Sequence, residues 1–122
     1  MHSCLICIGS NYNRKENLLL ARRRLTALFP SIRFTSEQET RPLFFRNPAL
    51  FSNQMARFYT DADAERVVKE LKTIEREAGR GQEDKKKEKV CLDIDLLVFD
   101  DRILRPEDLQ REYVRKGLEE LK

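Results

Sequence analysis

Residues 90–99, VCLDIDLLVF, are the stretch of sequence that decides the fold. Eight of the ten residues are apolar, which predicts a largely buried β-strand. Because side chains alternate between the two faces of a strand, the even-numbered residues form one uniformly apolar face. We expect that face to pack against helices, and this fixes the register of the strand. The opposite, odd-numbered face carries two carboxylates, Asp93 and Asp95, between apolar neighbours.

Asp93 and Asp95 are the strongest indication of chemistry in the chain. Side chains two residues apart on a strand share a face, with Cα atoms about 6–7 Å apart. Two carboxylates among apolar side chains repel each other and lose hydration, and a cation between them relieves both costs. Mg²⁺ suits the pattern, because it takes one or two carboxylates and fills its remaining positions with waters and phosphate oxygens. The alternative is an exposed sheet edge on which both aspartates are simply hydrated, and the pattern alone leaves both interpretations open.

The segments before and after this strand predict the rest of the architecture. The first half predicts a strand at 4–8, a helix from a capping-box-like Asn13 and Glu16 to Pro30, a half-exposed strand at 32–38, a loop at 41–49 and a strand at 51–59. The second half begins with a helix that is capped by Thr60 or Asp61 and closed by Gly79 and Gly81, and a mobile polar loop at 80–89 follows it. After the strand at 90–99, the sequence predicts an edge strand at 103–104 and a last helix opened by Pro106. This order is the α/β (α+β) pattern βαββαβ, called ferredoxin-like, with an added C-terminal helix. The length of 122 residues fits a single domain, residues 1–122.

Composition excludes several classes of protein. The 24 basic and 21 acidic residues nearly cancel to +3, which falls short of the basic excess of a nucleic-acid-binding protein. No apolar run approaches the ~20 residues of a membrane span. We therefore expect neither nucleic acid nor membrane as a partner, and the sequence is silent on the oligomeric state.

Three cysteines, Cys4, Cys7 and Cys91, lie in apolar runs. Cys4 and Cys7 have the spacing of a redox or zinc pair, but there is one such pair and His2 is the sole histidine. We expect small buried side chains in a reducing compartment. Together with the lack of a signal peptide, this predicts a cytoplasmic protein.

Two further sites are weaker candidates. Gly9-Ser10-Asn11 reads as a tight turn and is too short for a P-loop. Phe51 and Asn53 share a strand face, so a ring and an amide could stack on and hydrogen-bond a flat heterocycle. The competing interpretation is a core aromatic residue beside a solvated amide.

Taken together, these motifs resemble the 6-hydroxymethyl-7,8-dihydropterin pyrophosphokinases of folate biosynthesis. The resemblance spans roughly residues 4–100 in the family's order and spacing, and its most specific part is Leu92-Asp93-Ile94-Asp95. The other motifs that carry it are Ile8-Gly9-Ser10-Asn11, Thr40-Arg41-Pro42-Leu43, Phe51-Ser52-Asn53, and Ile74-Glu75 with Gly79-Arg80.

The resemblance implies a ferredoxin-like fold and transfer of pyrophosphate from ATP to the pterin hydroxymethyl group. It implies that Asp93 and Asp95 hold two Mg²⁺ ions that bridge the triphosphate, and that ATP is the co-substrate. The other implied roles are Phe51 stacking on the pterin, Asn53 bonding the pterin edge, Thr40, Pro42 and Leu43 lining its pocket, Glu75 and Leu96 on the nucleotide side, and Arg80 beginning a catalytic loop.

The chain also departs from the family pattern. The family's catalytic loop carries a tryptophan, whereas this chain has none and Lys87 stands near that place. Val90 replaces an arginine before the aspartates, and no histidine follows residue 2. The alternative function is therefore a non-catalytic pterin- or nucleotide-binding or interaction module. A third hypothesis, single-stranded RNA binding, lacks the expected paired aromatics on adjacent strands.

Overall fold

The computed structural model describes residues 1–41, 50–79 and 89–122. The elements are β1 (His2–Ser10), α1 (Arg14–Leu28), β2 (Arg33–Phe34), β3 (Gln38–Thr40), β4 (Phe51–Thr60), α2 (Ala64–Glu77), β5 (Asp93–Phe99), β6 (Arg102–Ile103), a 3-10 turn (Asp108–Gln110) and α3 (Glu112–Glu120). Within those residues, no helix has the length and apolar character needed to cross a membrane.

The strands form one sheet in the order β2-β4-β1-β5-β6, with β3 also paired to β4. Its strand pairs are antiparallel. The central strand β1 pairs with β4 along its whole length and with β5 on its other side. The chain order and the sheet order together confirm the predicted ferredoxin-like α/β fold.

The two faces of the sheet bury separate cores. On one face, α1 and α2 cover a cluster that includes Ile6, Ile8, Leu71 and Ile94. On the other, the C-terminal helix α3 covers the second cluster: Leu5, Cys7, Met55, Leu97, Val114 and Leu121. Alternation along β1 produces this division, because successive residues of a strand point to opposite faces. The three cysteines are free and buried, as predicted.

The alternation predicted for residues 90–99 is confirmed as far as Leu97 and is wrong for Val98 and Phe99. The register between β1 and β5 shifts, so that Ile6 faces Leu96 while Leu5 faces Val98, which leaves Leu97 as an extra residue. Such a bulge reverses the facing of the residues that follow it. Phe99 therefore joins the cluster under α1 and α2, and Val98 packs against the α3 side.

Thr35 interrupts the predicted strand at 32–38 and divides it into β2 and β3. Its N–H donates to the carbonyl of Met55 at 2.9 Å, and its hydroxyl accepts from the Met55 N–H at 3.0 Å. Thr35 is consequently buried while Ser36 is exposed. A continuous half-exposed strand would instead place Ser36 on the inner face with Ile32 and Phe34, and Thr35 on the outer face.

Two predicted helix starts are wrong, and the start of α1 at Asn13 is confirmed in position but not in its capping bond. The cap of α2 is Asp63, whose side chain accepts the Arg66 N–H at 2.8 Å, and not Thr60 or Asp61. Asn13 makes no side-chain cap bond to α1 and adopts a left-handed backbone instead. The last helix starts at Glu112, because residues 108–110 form a separate 3-10 turn after Pro106.

Gly79 lies directly after α2 with φ +89°, the conformation that glycine adopts most readily at a helix end. This agrees with the prediction that Gly79 closes the helix. Gly81 and most of the predicted mobile loop lie outside the described residues.

Gly117 sets how closely α3 approaches the sheet. A Cβ at this position would overlap Met55 Cγ and lie 3.0 Å from Met55 Cβ. We expect Gly117→Ala to destabilise the protein by about 1–3 kcal/mol, because overpacking outweighs the better helix propensity of alanine. Urea unfolding measures the change.

The matched control is Glu119→Ala, an exposed change on the same helix that should shift stability by less than about 0.5 kcal/mol. Adding Met55→Ala to Gly117→Ala should cost less than the sum of the two single changes. Additive costs would contradict the contact.

Candidate active site

The two aspartates lie near the start of β5, where this strand forms the edge of the sheet. In the register with β1, Asp93 faces Gly9 and Asp95 faces Cys7. Both carboxylates therefore project from the same face, as the alternation predicts, and both are only partly exposed. They are not the fully hydrated acids of the alternative interpretation.

Burial and charge act together on Asp95. Burial raises the pKa of the Asp95 carboxyl to about 7, and the charge and hydrogen bond of Asp93 add to the effect. The guanidinium of Arg105 opposes it, with Nη2 3.3 Å from Asp95 Oδ1, and the charge of Glu75 adds a smaller increase. The unfavourable charge of the acid pair therefore favours binding of a cation or of a proton at this site.

The donor set suits Mg²⁺ better than a metal held by protein ligands alone. Among the described residues there is no cluster of three or more histidine, cysteine or acidic side chains that could hold a metal. Two adjacent carboxylates provide part of a coordination shell, and waters and substrate phosphates complete the shell of Mg²⁺ in such sites. Asp93 and Asp95 fit that chemistry.

A cavity of about 330 Å³ opens beside the acid pair. Helix α2 forms one wall, β5 another, and residues 104–105 after β6 a third. The lining residues are Val68, Leu71, Lys72, Glu75, Asp93, Ile94, Asp95, Leu96, Leu104 and Arg105. Glu75 and Leu96, both predicted on sequence grounds, thus share one cavity with the two aspartates.

Glu75 also completes the open edge of β5. Its Oε2 accepts the backbone N–H of Ile94 at 2.8 Å, and the side chain is buried. A β-strand without a neighbour leaves such N–H groups unpaired, so the carboxylate stands in for the missing strand. This bond fixes α2 against the acid pair.

The second part of the site lies across β1 from the aspartates. Asn53 is 6% exposed, and its Nδ2 donates to Thr40 Oγ1 at 2.6 Å. Thr40 faces Phe51 in the register between β3 and β4. The predicted Phe51–Asn53 face therefore exists, and the alternative of a solvated amide is wrong.

Gly9 connects the two parts, a role that sequence reasoning missed when it read this residue as a turn. It sits in β1 between Asn53 on β4 and Asp93 on β5, so these two residues are two strand spacings, about 10 Å, apart. A Cβ on Gly9 would come 3.2 Å from Asn53 Oδ1. A glycine inside a strand pattern signals close approach by another group, which was the available clue.

The turn after Gly9 fastens the start of β5. The Asn11 N–H donates to the Val90 carbonyl at 2.9 Å, and Asn11 Oδ1 accepts the Val90 N–H. Lys89 places its Nζ 4.1 Å from the ring centroid of Tyr12. Through its two bonds to Val90, Asn11 positions the segment of chain immediately before Asp93.

Some predicted residues cannot be placed relative to this site. Pro42, Leu43 and Arg80 lie outside the described residues. Conversely, Lys72 and Arg105 line the cavity although no sequence motif indicated them. Each is a charged residue in an ordinary polar pattern, and only the packing of α2 and β6 brings them to the acids.

Comparison with models of protein families matches residues 5–122 to 7,8-dihydro-6-hydroxymethylpterin-pyrophosphokinase (HPPK). The fold and the match over nearly the whole chain show that this protein belongs to the HPPK family, as the sequence motifs predicted. A curated relative is the folic acid synthesis protein fol1 of Pneumocystis carinii, 28% identical over 123 residues. The alignment covers 93% of this chain and 16% of that relative, so the chain spans less than a fifth of its length.

Replacing Asp95 by asparagine should stabilise the metal-free protein in a pH-dependent way. The pKa of this carboxyl is raised to about 7 from an ordinary value of 3.8, so the folded state binds the proton more tightly than the unfolded state. The tighter proton binding therefore adds to the free energy of unfolding below about pH 4, and this contribution is lost as the pH rises toward 7. Thermal unfolding should show a larger gain for Asp95→Asn at pH 8 than at pH 5.

The control is Asp101→Asn, which removes an exposed carboxylate just past the end of β5. It should give a small change that is similar at both pH values. An equal gain for Asp95→Asn at pH 5 and pH 8 would contradict the raised pKa.

Proposed function

We propose that this protein is a Mg²⁺-dependent pyrophosphokinase that transfers the pyrophosphoryl group of ATP to 6-hydroxymethyl-7,8-dihydropterin. The observation that carries the proposal is the acid pair, Asp93 and Asp95, placed across Gly9 from the Phe51–Asn53 face. Membership of the HPPK family and the similarity to a folic acid synthesis protein support it.

Asp93 and Asp95 would hold the two metal ions. When bound, Mg²⁺ supplies positive charge that offsets the charge developing on the transferred phosphates. The two carboxylates would fix that charge at one end of the site. Their partial burial strengthens the interaction, because an electrostatic attraction is stronger away from bulk water.

The cavity beside the acid pair is the proposed nucleotide site. Leu96 and the apolar residues of α2 offer surface for a base, and Glu75 is held rigidly by its bond to Ile94. Lys72 and Arg105 add positive charge near the acids. Arg80 would contribute further positive charge from the segment after α2.

The pterin would lie over Gly9, where the absence of a side chain leaves room between Asn53 and Asp93. Phe51 would stack on the ring and Asn53 would bond its edge, with Thr40 orienting the amide through its 2.6 Å bond. Pro42 and Leu43 would complete the pocket. In this arrangement the pterin hydroxymethyl oxygen would attack the β-phosphorus of ATP and release its proton to solvent. The bond between the β-phosphorus and the oxygen that bridges it to the α-phosphorus would break, and AMP would leave with that oxygen.

A non-catalytic pterin- or nucleotide-binding protein is the second candidate function. The observation that favours it is that the chain has no tryptophan and no histidine after His2. The sequence pattern of the family includes a tryptophan in the catalytic loop and a histidine after the last strand. AMP release discriminates the two, because a binding module takes up ligands without forming AMP.

Asp93→Asn should reduce pyrophosphoryl transfer by at least about 100-fold, because the phosphate charge is then poorly neutralised. The measurement is AMP release with ATP, Mg²⁺ and hydroxymethyl-dihydropterin. Asp101→Asn is the control and should retain wild-type activity. Pterin binding by the wild type without AMP release would favour the second candidate.

Asn53→Ala should weaken pterin binding by about tenfold, the value of one hydrogen bond in a partly buried site. Affinity for a non-hydrolysable ATP analogue with Mg²⁺ should change by less than about twofold, because Asn53 lies about 10 Å from Asp93. Calorimetry measures both affinities. Ser52→Ala, which alters the opposite face of β4, is the matched control, and an equal loss there would argue against a specific contact.

A further inference from the structure

Arg105 occupies a position that the family resemblance does not assign. It follows β6, its side chain is 53% exposed, and it lines the same cavity as the two aspartates. One nitrogen, Nη2, lies 3.3 Å from Asp95 Oδ1, and the other, Nη1, lies 4.0 Å from Asp108 Oδ2. The guanidinium thus bridges the acid pair and the turn before α3.

This ion pair competes with a metal ion. A divalent cation that coordinates Asp95 Oδ1 needs the place where the guanidinium now contacts that oxygen. An arginine side chain cannot release its charge by losing a proton, so it must move. The same side chain nevertheless relieves the repulsion between the two aspartates while no metal is bound.

Displacing Arg105 costs little at its other end. Asp108 is also paired with Arg111, whose Nε lies 3.3 Å from Asp108 Oδ1. Asp108 therefore keeps a cationic partner when Arg105 leaves. In the pair with Asp95, the Arg105 side chain is 53% exposed, and solvent screening weakens its attraction to the carboxylate.

A polyphosphate is a suitable new partner for the displaced side chain. The planar guanidinium presents paired N–H donors that match phosphate oxygens in geometry and charge. Because Arg105 already lines the cavity, phosphates bound there through metal ions on Asp93 and Asp95 would lie within reach of a rotated side chain.

We propose that Arg105 is an exchangeable counter-ion: it neutralises Asp95 in the free protein, and it transfers to the polyphosphate when a metal–nucleotide complex binds. The inference rests on the proposed function, since it requires metal and nucleotide at this site. It makes Arg105 a nucleotide-binding residue that disfavours entry of the metal alone and favours entry of the metal together with the nucleotide.

The test is Arg105→Gln, which removes the charge but keeps a polar side chain of similar length. Mn²⁺, followed by electron paramagnetic resonance of the free ion, reports on the metal alone. We expect Mn²⁺ to bind about fivefold more tightly to Arg105→Gln than to the wild type, since its competitor is gone. Calorimetry with Mg²⁺ and a non-hydrolysable ATP analogue should show binding about tenfold weaker, through loss of a charged hydrogen bond.

Two control variants separate this effect from a general change of charge. Arg102→Gln removes the same charge from β6, outside the cavity, and should change either affinity by less than about twofold. Arg105→Lys keeps the charge and should recover most of the nucleotide affinity and the weak binding of Mn²⁺. Thermal unfolding checks that each variant is folded.

The outcomes distinguish failure of the inference from failure of the proposed function. If Mn²⁺ binds, Asp95→Asn abolishes that binding and Arg105→Gln changes neither affinity, the exchange is overturned while the metal site stands. Tighter Mn²⁺ binding without weaker nucleotide binding also overturns the exchange, because Arg105 then only blocks the metal. If no folded variant binds Mn²⁺ or the nucleotide, the proposed function itself fails.

Discussion

The pairing of β1 with both of its neighbours is the constraint on which the rest of the structure depends. Its hydrogen bonds to β4 and β5 fix the register that places Gly9 between Asn53 and Asp93. A slip of one residue on either side would turn the polar site into the core and expose apolar side chains. Stability and the geometry of the site are therefore specified by the same interactions.

Charge is distributed so that the sheet tolerates two adjacent acids near its edge. Asp93 raises the pKa of its neighbour Asp95, and Arg105 compensates part of the negative charge of the pair. Glu75, a third acid, accepts the backbone N–H of Ile94. The negative charge of the acids is thus only partly offset in the free protein, and the Arg105 side chain that offsets it is 53% exposed. This combination suits a site that takes a charged ligand and later releases it.

The helix α3 has a structural function beside this site. It covers the sheet face that carries the acids, and Gly117 allows it to approach Met55 closely. Tyr113, near its start, lies close enough to hydrogen-bond Cys7, and burial raises the pKa of the Cys7 thiol to about 12. Cys7 is therefore a neutral side chain beside Asp95 on the neighbouring strand, and it is the small buried residue that its apolar context predicted.

Local periodicity explains which predictions could be made from the sequence. The spacing of apolar residues predicts the strand from residue 90, the apolar faces of the helices and the order of the elements. Those features were enough to identify the fold and the buried face of each element. The spacing of Asp93 and Asp95 likewise follows from the two-residue period of a strand. The bulge at Leu97 and the division of the second strand at Thr35 were not predictable in this way, because each depends on pairing with residues distant in sequence. The late start of the last helix was not predictable either, because the 3-10 turn before it does not follow from the spacing of apolar residues.

The sequence by itself therefore determined the class of fold, the family motifs and the chemical types present at the site. Only the tertiary structure decided that Gly9 separates the two halves of the site by about 10 Å, that Glu75 closes the edge of β5, and that Arg105 contacts Asp95. The physical reason is that the residues adjacent in sequence determine on which face of a strand or helix a side chain lies. Its partners are set by strand register and by the packing of elements that are far apart in sequence.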